Sequence, residues 1–260
     1  MNEFSHFILT PYNVGIYSRS NIDAAAWMER RKELFQRYCV SSIRFQTIQN
    51  FHWIVIVDEA TPDISFLQSV PCTIVKTNDC LLERRVEVIR TITSLTTTKW
   101  VITTRVDNDD ALARHFVETV QRNFEPKHRL CLEFPSVYFY EHRKGKLACG
   151  FYRENTTLSL IEEREKIATV FLSPHPTIHR VARVRDLASE NGMSMMVTHG
   201  DNLRNIFMGY RVRNKQGFLE NFPFMTGMVR SGPTRADQCL FFGVSLFRKL
   251  RSLCNRCIGR

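Results

Sequence analysis

Three aspartates crowd into four positions of "KWVITTRVDNDDAL": Asp107, Asp109 and Asp110 follow directly on an apolar, strand-like run. Like charges this close repel, so either a turn in water holds them apart or a cation sits among them. Carboxylates at i and i+2 of a bent loop can point into one space. A hard divalent ion such as Mg²⁺ or Mn²⁺ typically takes one or two of them together with substrate phosphates. Asp110 stands where it can cap a helix beginning near Ala111. A helix start accounts for two acids at most, which leaves Asp107 and the preceding Arg105 over. A second acid, Asp58, ends the run "FHWIVIVDEATP" in the same manner.

Alternating elements must position these acids. "HFILT" reads as a short strand closed by Pro11, and Asp23 is placed to cap a helix on which Trp27, Leu34, Phe35 and Tyr38 share a face. "FHWIVIVD" is a nearly continuous apolar run, as a strand buried on both faces requires. "CTIVKT" repeats it more briefly, and Asp79 is placed to cap a following helix with Leu82, Val86, Ile89 and Ile92 along one side. "KWVITTRV" is the next strand, followed by a helix with Ala113, Val117, Val120 and Phe124 toward the sheet. This β-α-β-β-α-β-α order predicts an open, mostly parallel α/β sheet flanked by helices. Ligands of such sheets bind beyond the carboxyl ends of the strands, where Asp58 and the acidic cluster both fall. Beyond Glu125 the expected elements are a strand "RLCLEF", a hairpin turning at Arg143-Lys144-Gly145, and a late strand in "MSMMVTHGDN" ending at Thr198 or His199. Residues 1–213 read as the main domain, and 214–260 as an extension that packs on the core or lies on a membrane surface.

The 260 residues allow one large α/β domain, and 43% hydrophobic and 24% charged residues are ordinary for a globular chain. A net charge of +10 points to an anionic partner: nucleic acid, an acidic membrane or a nucleotide phosphate. "MNEFSHFILTPYNV" is too polar for a signal sequence and no run reaches membrane-span length, so the eight cysteines are expected reduced and the chain cytoplasmic. Cys254 and Cys257 form a C-x-x-C pair that lacks the further ligands zinc requires. The C-terminal "CLFFGVSLFRKLRSLCNRCIGR" mixes apolar residues with a basic end, as a helix covering the core or one lying peripherally on an anionic membrane does.

The strings "HFILTPYNV", "WMERRKELFQRYCVSSIRFQT", "FHWIVIVDEATP", "VITTRVDNDDAL", "NTTLSLIE" and "VTHGDN" occur in one order across roughly residues 6 to 205. In them the chain resembles the rhamnosyltransferase family, which is similar to the GT-A nucleotide-sugar glycosyltransferases. The resemblance implies that Asp107 and Asp109 form a D-x-D that holds Mn²⁺ or Mg²⁺ and the donor's ribose and diphosphate. Thr10, Asp58 and Arg105 would join Asp107 in binding the donor nucleotide. His199 is the expected third metal ligand, since neutral imidazole suits Mn²⁺ and Gly200 lets the backbone approach closely. Glu162, the acid of "SLIE", is the candidate catalytic base for an inverting transfer, with Glu163 beside it. His175 and His179 either line the pocket or serve structure, and Arg84 and Arg85 either bind phosphate or form a solvated helix face. The implied substrates are a nucleotide-diphosphate sugar, such as one of rhamnose, and a glycan or lipid-linked hydroxyl acceptor.

Two rival classes remain. A phosphatase-like D-x-D hydrolase also places its nucleophile after a buried strand, but "DNDDA" lacks the D-x-D-x-[TV] continuation. A nucleic-acid-binding protein would suit the charge, yet no binding motif or aromatic-interleaved basic stripe is visible, and no nucleic acid partner is expected.

Overall fold

The computed structural model describes residues 3–16, 23–77, 86–200 and 206–258, with side chains described as far as residue 246. Strands β1 (Phe4–Pro11), β2 (His52–Asp58), β3 (Thr73–Thr77) and β4 (Trp100–Arg105) run parallel in the order β4-β1-β2-β3. Their carboxyl ends therefore lie at one end of the sheet, where Asp58 and the acidic cluster emerge on either side of β1. Alternate residues along β2 enter different cores, which explains its unbroken apolar character. Trp53, Val55 and Val57 face one cluster, and Ile54 and Ile56 the other.

Helix α1 (Ala24–Leu34) begins at Asp23, whose carboxylate accepts from the Ala26 N–H at 3.1 Å. It runs without a break through a wider π-type turn at Phe35–Val40 into α2 (Ser41–Arg44). Phe35 and Tyr38 lie fully buried on the first core. Helix α3 (Val86–Leu95) puts Val88 and Ile92 into the second core. Residues 78–85 lie outside the described chain, and with them Asp79, Leu82, Arg84 and Arg85.

One local expectation is overturned after β4. Ala111–Leu112 form a short strand β5, and helix α4 (Phe116–Arg122) starts only at Phe116. Asp110 therefore caps no helix. Its oxygens accept from the Val197 N–H at 2.9 Å and the Thr156 hydroxyl at 3.1 Å, both distant in sequence.

Strands β6 (Leu130–Glu133), β7 (Ser136–Glu141), β8 (Lys146–Phe151), β9 (Leu158–Glu163), β10 (Arg183–Asp186), β11 (Ser194–Thr198) and β12 (Tyr210–Arg211) complete two sheets. The larger has the order β10-β6-β9-β4-β1-β2-β3, with β9 antiparallel to both neighbours. The smaller has the order β12-β8-β7-β11-β5. Strand β11 runs back along β5, pairing Met195 with Ala111, so its far end returns to the acidic cluster. Helix α5 (Lys215–Asn221) buries Phe218, and Phe222 and Met225 after it join the first core. Helix α6 (Arg235–Ile258) lays Phe241 on the outer face of the smaller sheet, over Gly150, where a larger residue would collide with the ring. Between Asn214 and Phe241 the segment thus places Phe218, Phe222, Met225 and Phe241 in apolar clusters of the core.

Candidate functional site

Every acid of the cluster has a defined counterpart. Asp107 follows β4 and receives two parallel bonds from Arg105, Nε at 2.8 Å and Nη2 at 3.2 Å, in the fork geometry guanidinium favours. Asp109 forms a 2.6 Å ion pair with Arg31 of α1 and lies 3.0 Å from His199 Nε2. Burial works against its charge, but the His199 bond and the Arg31 charge more than offset it, holding its carboxyl below the usual range. Asp110 is the opposite case: burial first, then the charges of Asp109 and Asp107, raise it well above an ordinary aspartate.

Arg31 is fixed on several sides. Its guanidinium carbon lies 4.6 Å from the centre of the Trp27 ring, and Nη1 donates to Asn108 Oδ1 at 3.1 Å and lies 3.4 Å from His199 Nε2. Asn108 in turn donates to the Tyr12 carbonyl, tying the cluster to the end of β1. Neither Arg31 nor Asn108 was singled out from the sequence. A signal existed for Arg31: it is four residues after Trp27 and three before Leu34, so a cation stands on the stripe that faces the core.

At the end of β2, one strand beyond β1, Asp58 accepts from the Gly15 N–H at 2.9 Å and the Ala60 N–H at 3.0 Å. Asn13 receives the Asp58 N–H at 2.9 Å and donates to the Thr61 hydroxyl at 2.8 Å. Gly15 adopts φ of 74°, a conformation that costs other residues energy, and this aims its N–H at the carboxylate. Asp58 thus organises the loops that follow β1 and β2.

Asp58, Arg105, Asp107, Asp109 and His199 are brought to one end of the sheet; two other expected residues are not. Thr10 is fully buried, and its hydroxyl accepts the Trp53 indole N–H at 3.0 Å, so it cannot reach a donor. Glu162 pairs with Val101 at the start of β4, roughly 13 Å of strand before β4 ends. Its carboxylate accepts from the Thr169 N–H at 2.8 Å and the Ala168 N–H at 3.2 Å, and burial pushes it up to about 7. Both side chains are buried in the protein and hydrogen-bonded within it. Glu163 pairs with Lys166 at 2.7 Å, while His175 meets the Glu154 carbonyl at 2.6 Å and His179 its carboxylate at 2.7 Å.

The donor set does not fit a resident metal ion as arranged. Asp107 is chelated by Arg105, and the space between Asp109 and His199 is shared by the Arg31 guanidinium. No three His, Cys, Asp or Glu among the described residues are grouped to hold a metal. No helix among them is long and apolar enough to cross a membrane.

Several solved structures have a broadly similar course. The inositol-1-phosphate CTP transferase of T. maritima aligns over 88% of this chain and 99% of its own at 9% identity, with a TM-score of 0.45. S. aureus TarS aligns over 75% of this chain and 37% of its own at 10% identity and a TM-score of 0.41. The 4-diphosphocytidyl-2C-methyl-D-erythritol synthase of Anaerococcus prevotii aligns over 85% and 96% at 10% identity and a TM-score of 0.38. No curated protein sequence matches significantly. The family profile described as "Putative rhamnosyl transferase" matches residues 17–210, three quarters of the chain, with β2, β4, the acidic loop and His199 inside the match. The chain belongs to that family and is a glycosyltransferase.

Proposed function

We propose that this glycosyltransferase uses a nucleotide-diphosphate sugar, with a deoxyhexose such as rhamnose as the first donor sugar to test, and passes the sugar to a hydroxyl of a glycan or lipid-linked acceptor with inversion. The observation that carries this reading is the convergence of Asp58, Arg105, Asp107, Asp109 and His199 beyond the carboxyl ends of parallel strands, where open α/β sheets bind nucleotides. In the transfer, the acceptor oxygen bonds to the anomeric carbon as that carbon's bond to the diphosphate oxygen breaks. The hydroxyl proton leaves to a base, and the departing diphosphate takes the electron pair. Arg105, half-buried beside Asp107, supplies positive charge at the cleft for that diphosphate. With Glu162 buried in the sheet, the base is sought among the cleft carboxylates.

An apolar cavity of about 170 Å³ supports an acceptor with a hydrophobic part. Phe139, Met196, Met208, Leu240 and Val244 line it, and Thr198, the residue before His199, borders it. On α6, Phe242 and Leu246 are 61% and 46% exposed, while Phe241 anchors the helix on the smaller sheet. Five basic residues and no acid follow within the same segment, at Arg248, Lys249, Arg251, Arg256 and Arg260. Together these favour a peripheral position on an anionic membrane bearing the acceptor.

The test is thermal stabilisation by UDP, GDP, CDP and dTDP, followed by a transfer assay with the matching nucleotide sugars. One nucleotide is expected to raise the Tm through binding to the folded state, and Asp107→Ala to abolish transfer. Stabilisation by nucleic acid alone, with steep salt dependence, would overturn the reading.

A further inference from the structure

The acidic cluster sets an electrostatic problem that the fold solves with its own side chains. Asp107 has Arg105, and both oxygens of Asp110 are taken by Val197 and Thr156. That leaves Asp109, buried at the base of the cleft beside His199. Its partner comes from an element far away in sequence: Arg31 reaches it at 2.6 Å while 8% exposed. The stack on Trp27 and the bond to Asn108 hold the guanidinium there from two further sides.

We propose that Arg31 is the resident cation of this cleft, a positioning residue that holds Asp109 and His199 and lets a nucleoside diphosphate bind without a divalent metal. An ion bound by Asp109 and His199 must approach each to about 2.0–2.2 Å. Arg31 Nη1 already lies 3.4 Å from His199 Nε2 and within ion-pair distance of Asp109, so the same space holds a permanent positive charge. Adding a dication there sets it against a buried guanidinium that cannot lose its proton. To make room, Arg31 would have to abandon Asn108, Trp27 and Asp109 at once. The guanidinium is thus the positive charge that three crowded acids call for.

This inference rests on the reading of the cleft as the donor site, and the experiment separates the two. Mn²⁺ alone is titrated calorimetrically into wild type and Asp109→Asn, and the nucleotide panel is repeated in EDTA and in Mn²⁺. Wild type is expected to show no saturable Mn²⁺ binding up to millimolar concentration, and the preferred nucleotide to give the same Tm gain in both buffers. Arg31→Met is expected to weaken nucleotide binding roughly tenfold or more, with Arg31→Lys recovering part of the loss. Saturable Mn²⁺ binding that Asp109→Asn abolishes, or a nucleotide effect that EDTA removes, overturns the proposal. So does wild-type nucleotide affinity in a folded Arg31→Met. If no nucleotide acts in either buffer the donor-site reading fails, while the Mn²⁺ titration, which needs no mutant to fold, still decides the role of Arg31.

Discussion

Asp107 and Asp109 are two residues apart, yet their substitution should have different consequences because their surroundings differ. Asp109 is buried against buried Arg31, so Asp109→Ala leaves a guanidinium without its anion and should cost about 3 kcal/mol of stability. Asp107 pairs with Arg105 at a more open position, with side chains 24% and 18% exposed, so Asp107→Ala should cost about 1 kcal/mol or less while still removing transfer. Urea midpoints of the two variants measure this, and equal losses would contradict the geometry. Combining Asp109→Leu with Arg31→Met should recover much of the Asp109 loss, since no charge is then stranded. The acids were legible in the sequence because three of them fall within one loop. Arg105 and His199 were legible with them, but Arg31 was not, because it meets Asn108 across 77 residues, and linear spacing carries no trace of that contact. The legible clue was of another kind: a cation on the buried stripe of an amphipathic helix needs an anion in the core.

At the scale of elements, Glu162 shows how a strand decides what a residue can do. The run "TLSLIE" holds an acid that suits a catalytic base, but β9 runs antiparallel to β4 and carries Glu162 away from the cleft. There burial raises its carboxyl to about 7, and Glu133 on adjacent β6 to about 7 for the same reason. An unfolded glutamate ionises near ~4.3, so from roughly pH 4 to pH 7 the folded chain binds more protons than the unfolded one. The stability these neutral acids allow is full below that window and is lost as pH rises through about 7. Glu162→Gln should therefore flatten the fall in unfolding free energy between about pH 4 and about pH 7, by as much as about 3 kcal/mol. An unchanged slope in the Glu162→Gln, Glu133→Gln double variant would rule out burial as its cause. The parallel strands around β1 were readable because continuous apolar runs fit only doubly buried strands. Strand β5 was missed because Asp109-Asp110 before an apolar residue also looks like a helix start. Only the pairing of Ala111 with Met195, made 84 positions on, settles that segment as a strand.

For the whole molecule, the excess of positive charge and the exposed face of α6 belong to one prediction. The chain carries +10, and its last basic residues follow an exposed Phe242 and Leu246 with no acid among them. Charge of this kind draws a protein to an anionic surface, while inserted apolar side chains hold it there when salt screens the attraction. Burying a side chain as large as Phe or Leu is worth about 1.5–3 kcal/mol, so the pair can shift membrane partition by more than tenfold. Wild type should therefore sediment with vesicles of phosphatidylglycerol and phosphatidylcholine, and much less with phosphatidylcholine alone. Moderate salt should weaken the binding without abolishing it. Phe242→Glu with Leu246→Glu should lower it by more than tenfold and leave nucleotide stabilisation intact, because both side chains are exposed and neither joins the apolar cluster that Phe241 anchors. Equal sedimentation of wild type and variant would sink the membrane reading. Concentration-dependent dimers of wild type, lost in the variant, would assign the same apolar face to a second copy of the chain. A membrane position also gives the cavity beside Thr198 a use: an acceptor whose lipid stays in the bilayer can bring its hydroxyl to the cleft from that side. Transfer to a lipid-linked acceptor should then fall with vesicle binding in the double variant, while transfer to a short soluble acceptor should not.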